Sequence, residues 1–193
     1  MKLEAIQQAI RDAGVDGWLF FDHHVRDPLA YRILQLPVPP LVSRRWYYFI
    51  PATGEPRKLA HRIEAYHLDP LPGAKALYSS WSEQKTGVAA LLAGAGRIAM
   101  QYSPECAVPY VAMVDAGTIE LVRSSGVEIV TSADMVQRFE ACWTQEQLDS
   151  HIEAGKLVDE IRRDAFRLIG DRIRGNSPVT EWEVQRFIAD RFA

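Results

Sequence analysis

The sequence has no long apolar run, almost no cysteine and no surplus of positive charge, and each shortage removes a class of function. Its most apolar stretch, around Trp46 to Ile50, is far short of the 20 or so residues a membrane helix needs. Met1-Lys2-Leu3-Glu4 lacks the apolar core of a secretory signal, so a cytoplasmic protein without membrane attachment is expected. Only Cys106 and Cys142 are present, with no C-x-x-C spacing, which leaves no disulfide framework and no zinc knuckle. Two buried thiols are expected instead. Lys and Arg total 22 against 25 Asp and Glu, so no cationic face is available for nucleic acid. H-E-x-x-H, G-x-S-x-G, Walker A and G-x-G-x-x-G are all absent.

What remains is an ordinary globular composition, 48% hydrophobic over 193 residues, enough for one good core and part of a second. Leu3, Ile6 and Ile10 predict a helix over 1–14 that Gly14 stops, and Asp16-Gly17 turns the chain into a buried strand at Trp18 to Phe21. Asp27 as N-cap and Pro28 at the first position predict a helix over 27–36, after which Pro37, Pro39 and Pro40 force a loop. Arg44 to Ile50 and Arg57 to His61, separated by turn residues, read as a β-hairpin. Helices near 62–68 and 82–93 and after Pro104, with strands near 75–79, 97–101 and 127–131, complete an α/β pattern. A mixed sheet flanked by helices is predicted.

The register changes near residue 140. Leu148, Ile152, Gly155, Val158, Ile161, Ala165, Leu168 and Ile173 follow one helical stripe from Thr144 to Arg174. Thr144-Gln145-Glu146-Gln147 supplies a capping box, and Gly175-Asn176 the left-handed turn that ends the helix. A second box, Thr180 to Glu183, starts another helix, cut at Ala193. Two domains are expected, 1–140 and 141–193, the second truncated.

This order of elements resembles the N-terminal part of the creatinase/prolidase/aminopeptidase P family, the pita-bread metallopeptidases. The matching stretches are Gly14-Val15-Asp16-Gly17-Trp18-Leu19-Phe20, Tyr31-Arg32-Ile33-Leu34 before the proline loop, and Gly96-Arg97-Ile98-Ala99-Met100. Val127-Glu128-Ile129-Val130 leading to Met135-Val136, the long helix and the Thr180-Glu181-Trp182-Glu183-Val184 start also match. The domain junction keeps Arg138 and the cap at Thr144 but lacks the lysine usual in the family. The resemblance implies a creatinase N-terminal-domain-like, ribonuclease H-like fold, followed by the first two helices of a truncated pita-bread catalytic domain. It implies a parent hydrolase, a cytoplasmic, homo-oligomeric Xaa-Pro aminopeptidase or Xaa-Pro dipeptidase acting on proline-containing peptides. Two divalent ions, Mn, Co or Zn, would serve that enzyme, held by two Asp, one His and two Glu in its C-terminal catalytic domain. No catalytic or metal residue transfers onto this chain, whose expected partner is that domain and whose expected roles are oligomerisation and active-site access. The alternative is a stand-alone, non-catalytic binding or assembly module of the same fold.

Two segments are candidates for the access role. Asp22-His23-His24-Val25-Arg26 lies where the first strand ends, and Arg44-Arg45-Trp46 follows the proline loop. His23, His24, Arg26, Arg44, Arg45 and Trp46 would line the approach, with arginines receiving a carboxylate and Trp46 packing on a proline ring. The plain alternative makes Trp46 core and the arginines solvated. Glu64-Ala65-Tyr66-His67 has the Glu-x-x-His spacing of di-iron bundles but no second copy, so a surface helix is expected there.

Overall fold

The computed structural model describes residues 2–192 and divides them into two compact units, 1–142 and 143–193 by number. Met1, included in the first expected helix, and Ala193, the expected cut in the last, lie outside the described residues. The first unit runs α1 (Leu3–Asp12), β1 (Gly17–Asp22), α2 (Pro28–Leu34), β2 (Trp46–Pro51), β3 (Arg57–His61) and β4 (Ala74–Tyr78). It continues through α3 (Trp81–Leu91), β5 (Arg97–Met100), α4 (Ala116–Arg123), β6 (Glu128–Thr131) and α5 (Ala133–Glu140). The second unit holds α6 (Gln145–Arg174) and α7 (Glu181–Asp190).

The six strands form one open sheet in the order β4-β3-β2-β1-β5-β6. Only β2 runs against the others, because β1–β2 and β2–β3 are antiparallel and the remaining pairs are parallel. The mixed sheet predicted from the sequence is therefore present, including the β2–β3 hairpin. All six residues of β1 are buried, and its side chains alternate between two cores. Trp18 and Phe20 join Trp46, Tyr48 and Ile50 under α1, α2 and α5, whose Ile6, Ile10, Leu34 and Met135 cover that face. Leu19 and Phe21 join Tyr47 and Phe49 on the opposite face, covered by Val88 of α3 and Ile119 and Val122 of α4. Gly17 is required by this packing, since a Cβ there would lie 2.3 Å from the Phe49 ring.

Several local expectations change. The helix expected after Pro104 is replaced by two short 3-10 turns, Pro104–Cys106 and Pro109–Val111, because Glu105 and Cys106 adopt positive φ and Pro109 interrupts the run. The helix begins instead at Ala116, where the Asp115 carboxylate accepts from the Thr118 amide at 3.0 Å. Both cysteines are exposed, not buried: Cys106 sits in that irregular turn and Cys142 follows the end of α5. Helix α5 itself, eight residues long, was not anticipated as an element. No helix among the described residues is long and apolar enough to cross a membrane.

In the second unit both capping boxes form. Thr144 and Gln147 exchange side-chain-to-backbone hydrogen bonds at the start of α6, and Thr180 and Glu183 do so at the start of α7. Asn176, not Gly175, takes the left-handed conformation after α6. Arg191 pairs with Asp164 at 2.9 Å between the two helices, while Ile161 and Ala165 are buried. Much of the predicted stripe is open: Leu148, Ile152, Val158 and Ile173 are exposed, as are Phe166, Trp182 and Phe192.

Asp27 supplies a pH prediction. It caps α2 through the Ala30 amide, yet its Oδ2 is buried without a hydrogen-bond partner. Burial, partly offset by the Ala30 bond and reinforced by the Asp22 charge, pushes its pKa from 3.8 up to about 7. The folded chain thus holds this proton more tightly than the unfolded one, so the contribution is full below about pH 4 and is lost as pH rises through 7. Asp27→Asn, which keeps a capping oxygen, should raise stability at pH 8 by roughly 1–3 kcal/mol and change little at pH 4. Urea titrations at the two pH values check this, and an equal effect at both would contradict it.

Candidate functional site

The carboxyl ends of β1, β3, β4, β5 and β6 and the start of β2 lie along one edge of the sheet, where open α/β sheets gather ligand-contacting loops. At the end of β1 the Asp22 carboxylate is fully buried and gathers the following turn around itself. It accepts from the amides of Val25 at 3.1 Å, Arg26 at 2.7 Å and Asp27 at 3.1 Å, and from the Tyr31 hydroxyl at 2.6 Å. Wrapping three amides onto one carboxylate forces His24 and Val25 to φ of 65° and 56°. That conformation is costly for a β-branched residue, by about 1–2 kcal/mol. The turn is held in spite of it.

The second candidate segment is tied to the first. Val42 accepts from the His24 amide at 3.0 Å, and Trp46 pairs with Asp22 across the β1–β2 ladder. Glu64 anchors the loop between them: its carboxylate accepts from the amides of Ser43 at 3.1 Å and Arg44 at 3.0 Å and from the Ser43 hydroxyl. A 3-10 helix, Arg62–Leu68, forms where a surface helix was expected, but Glu64 within it is 8% exposed and serves as a buried anchor. Burial opposes its ionisation, but the Ser43 and Arg44 hydrogen bonds prevail and hold its pKa below the ordinary value. Tyr78 adds a hydrogen bond to the Arg45 carbonyl at 2.8 Å.

The six candidates therefore come to one end of the sheet, in different surroundings. The His23 and His24 rings lie 3.9 Å apart between centroids. Burial first, then the neighbouring His24 and Arg45, lower the His23 pKa and favour its neutral form. Arg26 and Arg44 are exposed. Trp46 is 2% exposed, edge-on to Tyr31 at 5.9 Å, so its ring belongs to the core and presents no open face to a ligand. Arg45 is half-buried and turned into a cleft of about 420 Å³ between the starts of α3 and α4.

Sequence reasoning missed that cleft. Its walls include Trp81, Gln84 and Lys85 of α3 and Asp115, Thr118 and Glu120 from the α4 start. The available signals were two N-caps, Ser80 with Glu83 three residues on and Asp115 before Gly117-Thr118, which bring two helix starts to this edge. No three His, Cys, Asp or Glu side chains among the described residues group to hold a metal ion. The dimetal centre that the resemblance implies has no ligand set here.

No family model matches the chain, and no curated protein matches it by sequence. Solved structures do. A proline dipeptidase from Streptococcus pneumoniae is 14% identical over 74% of this chain and 98% of its own, with a TM-score of 0.57. The creatinase/prolidase N-terminal domain of an X-Pro dipeptidase from Streptococcus pyogenes is 13% identical over 70% and 96%, with a TM-score of 0.54. The chain has the creatinase/prolidase N-terminal fold. A recombinant prolidase from Thermococcus sibiricus is 14% identical over 99% of this chain but 48% of its own, with a TM-score of 0.56. The chain spans less than half of such longer relatives. At these identities the likeness establishes the fold, with β1 at the centre of its sheet and the two candidate segments at its carboxyl edge.

Removing the Glu64 anchor should loosen the second segment. Glu64→Ala leaves the Ser43 and Arg44 amides without their acceptor and should cost roughly 2–4 kcal/mol, read as a lower urea midpoint. Proteolysis should then begin within residues 38–45. A midpoint unchanged at pH 7 would show that the loop is held by other contacts.

Proposed function

We propose that this chain is the N-terminal portion of a proline-specific metallopeptidase, an Xaa-Pro dipeptidase or aminopeptidase, whose metal-bearing catalytic half follows α7. The reading is carried by the pairing of the creatinase/prolidase N-terminal fold with a likeness to a prolidase that runs through 99% of this chain while reaching 48% of the relative. The second unit supports it. Two well-capped helices display Leu148, Ile152, Phe166, Ile173, Trp182 and Phe192 to solvent, a stripe that a larger domain would cover.

In this reading the first 142 residues serve assembly into a cytoplasmic homo-oligomer and access to the active site. The His23, His24, Arg26 and Arg44 side chains would border the approach of peptide substrate. Arg45 faces its own cleft and Trp46 supports the sheet from inside. Two divalent ions would lower the pKa of a bridging water in the catalytic half, and no step of that chemistry is assigned to residues of this chain.

The test is the coding sequence downstream of residue 193. It should encode two Asp, one His and two Glu as metal ligands, and the joined protein should cleave Xaa-Pro dipeptides with Mn. The 193-residue chain with Mn should show no turnover. An immediate stop codon, with a stable oligomer in light scattering, would replace this reading with the stand-alone assembly module. Turnover by the short chain would overturn both.

A further inference from the structure

Among the described residues, the cleft between α3 and α4 brings Arg45 and Lys85, neither of them in an ion pair, to one volume of about 420 Å³. The Arg45 guanidinium is half-buried and makes no hydrogen bond or ion pair among the described residues, unlike Arg32, Arg97 and Arg138, which pair with Glu140, Glu128 and Asp12. Lys85 also lacks an acidic partner and rests 5.8 Å above the Trp81 ring. Trp81 is 71% exposed at the start of α3, so its indole is open to an occupant of the cleft beside the Lys85 ammonium. The floor is fixed, because buried Gln84 donates to the Tyr47 hydroxyl at 2.6 Å. Asp115 accepts from the Thr118 amide and hydroxyl, at 3.0 and 2.8 Å, and makes no direct ion pair with Arg45, although the two charges attract each other.

These groups set the chemistry of an occupant. A planar guanidinium with free donors matches a carboxylate in bidentate fashion, and partial burial makes that pairing stronger than the same contact on an open surface. Asp115 and Glu120 on the same walls disfavour a second negative charge and favour an ammonium group. Trp81 and Leu121 offer apolar surface on the same walls. The volume, about 420 Å³, falls within the range of small-ligand sites.

We infer that this cleft binds a small zwitterion of dipeptide size, its carboxylate on Arg45, its ammonium toward Asp115 and Glu120, and its apolar side chain against Trp81. The choice of a peptide as ligand rests on the proposed function. Binding needs no turnover, however, so a failed binding test leaves the peptidase reading standing, and a missing catalytic half leaves this site standing.

Isothermal titration of the 193-residue chain with glycyl-leucine tests it. Saturable 1:1 binding with Kd of about 1 mM or tighter is expected. Glycyl-leucinamide, which lacks the carboxylate, and N-acetyl-glycyl-leucine, which lacks the ammonium, should each bind at least about tenfold more weakly. Those two ligands probe both charges without altering the protein. Arg45→Gln should lose at least about tenfold and Trp81→Ala several-fold, while Arg186→Gln, on α7, should bind as the parent does. No saturable heat up to 20-fold above the expected Kd, or unchanged affinity for the amide, would overturn the site. Inorganic phosphate binding as tightly as glycyl-leucine would also overturn it, by reducing Arg45 to a general anion contact.

Discussion

A buried carboxylate at the end of the central strand organises the turn that carries the chain from β1 into α2 on the carboxyl edge of the sheet. Asp22 has no water to solvate it, and a carboxylate in that position is tolerated only when its lone pairs are filled. Three successive amides and the Tyr31 hydroxyl fill them. Satisfying that demand reverses the chain within four residues, delivers Asp27 to the start of α2, and pushes His23 and His24 side by side toward the loop that begins β2. The left-handed Val25 is the local cost of the arrangement.

The same logic repeats one loop away, where Glu64 does for Ser43 and Arg44 what Asp22 does for Val25 and Arg26. Between them the two acids fix both candidate segments by their backbones, and the basic side chains are left out of the anchoring. Arg45 makes no direct ion pair with the nearby Asp115, whose carboxylate is held by the Thr118 amide and hydroxyl while the two charges attract each other. Asp115, capping α4, is the third instance. An edge rich in carboxylates can thus present guanidinium groups that make no direct ion pair.

Much of the fold was legible because its signals are local. Asp27-Pro28, the two threonine capping boxes and the aromatic β2–β3 hairpin each specify an element within a few residues, and each formed as read. The region from Ser103 to Asp115 was not legible in the same way. Pro104 invites a helix start, but Glu105 and Cys106 leave the helical region, and nothing in their residue types announces it. The roles of Glu64 and Trp46 depend on contacts 14 or more residues away in sequence, from Glu64 to Ser43 and from Trp46 to Asp22 and Ala60. Sequence spacing could mark a Glu-x-x-His pair at 64–67, but only the fold turns that glutamate inward. The α3–α4 cleft lies beyond sequence reasoning for the same reason, since its walls come from three separate segments.

The second unit obeys a different constraint. Its helices take their starts from their own sequence, through reciprocal caps at Thr144 and Thr180, and α6 carries Asp–Arg pairs along its length such as Asp159–Arg162 and Asp164–Arg167. Local devices of this kind are each worth well under about 2 kcal/mol, enough to define where a helix starts but not to compensate for apolar side chains left in water. Burial of a single Leu, Ile or Phe contributes about as much, roughly 1.5–3 kcal/mol. With Leu148, Ile152, Phe166, Ile173, Trp182 and Phe192 all exposed, the stabilisation still available to this unit exceeds what its caps already supply. A helix pair built so carefully at its ends and left so open along its sides is shaped for further burial.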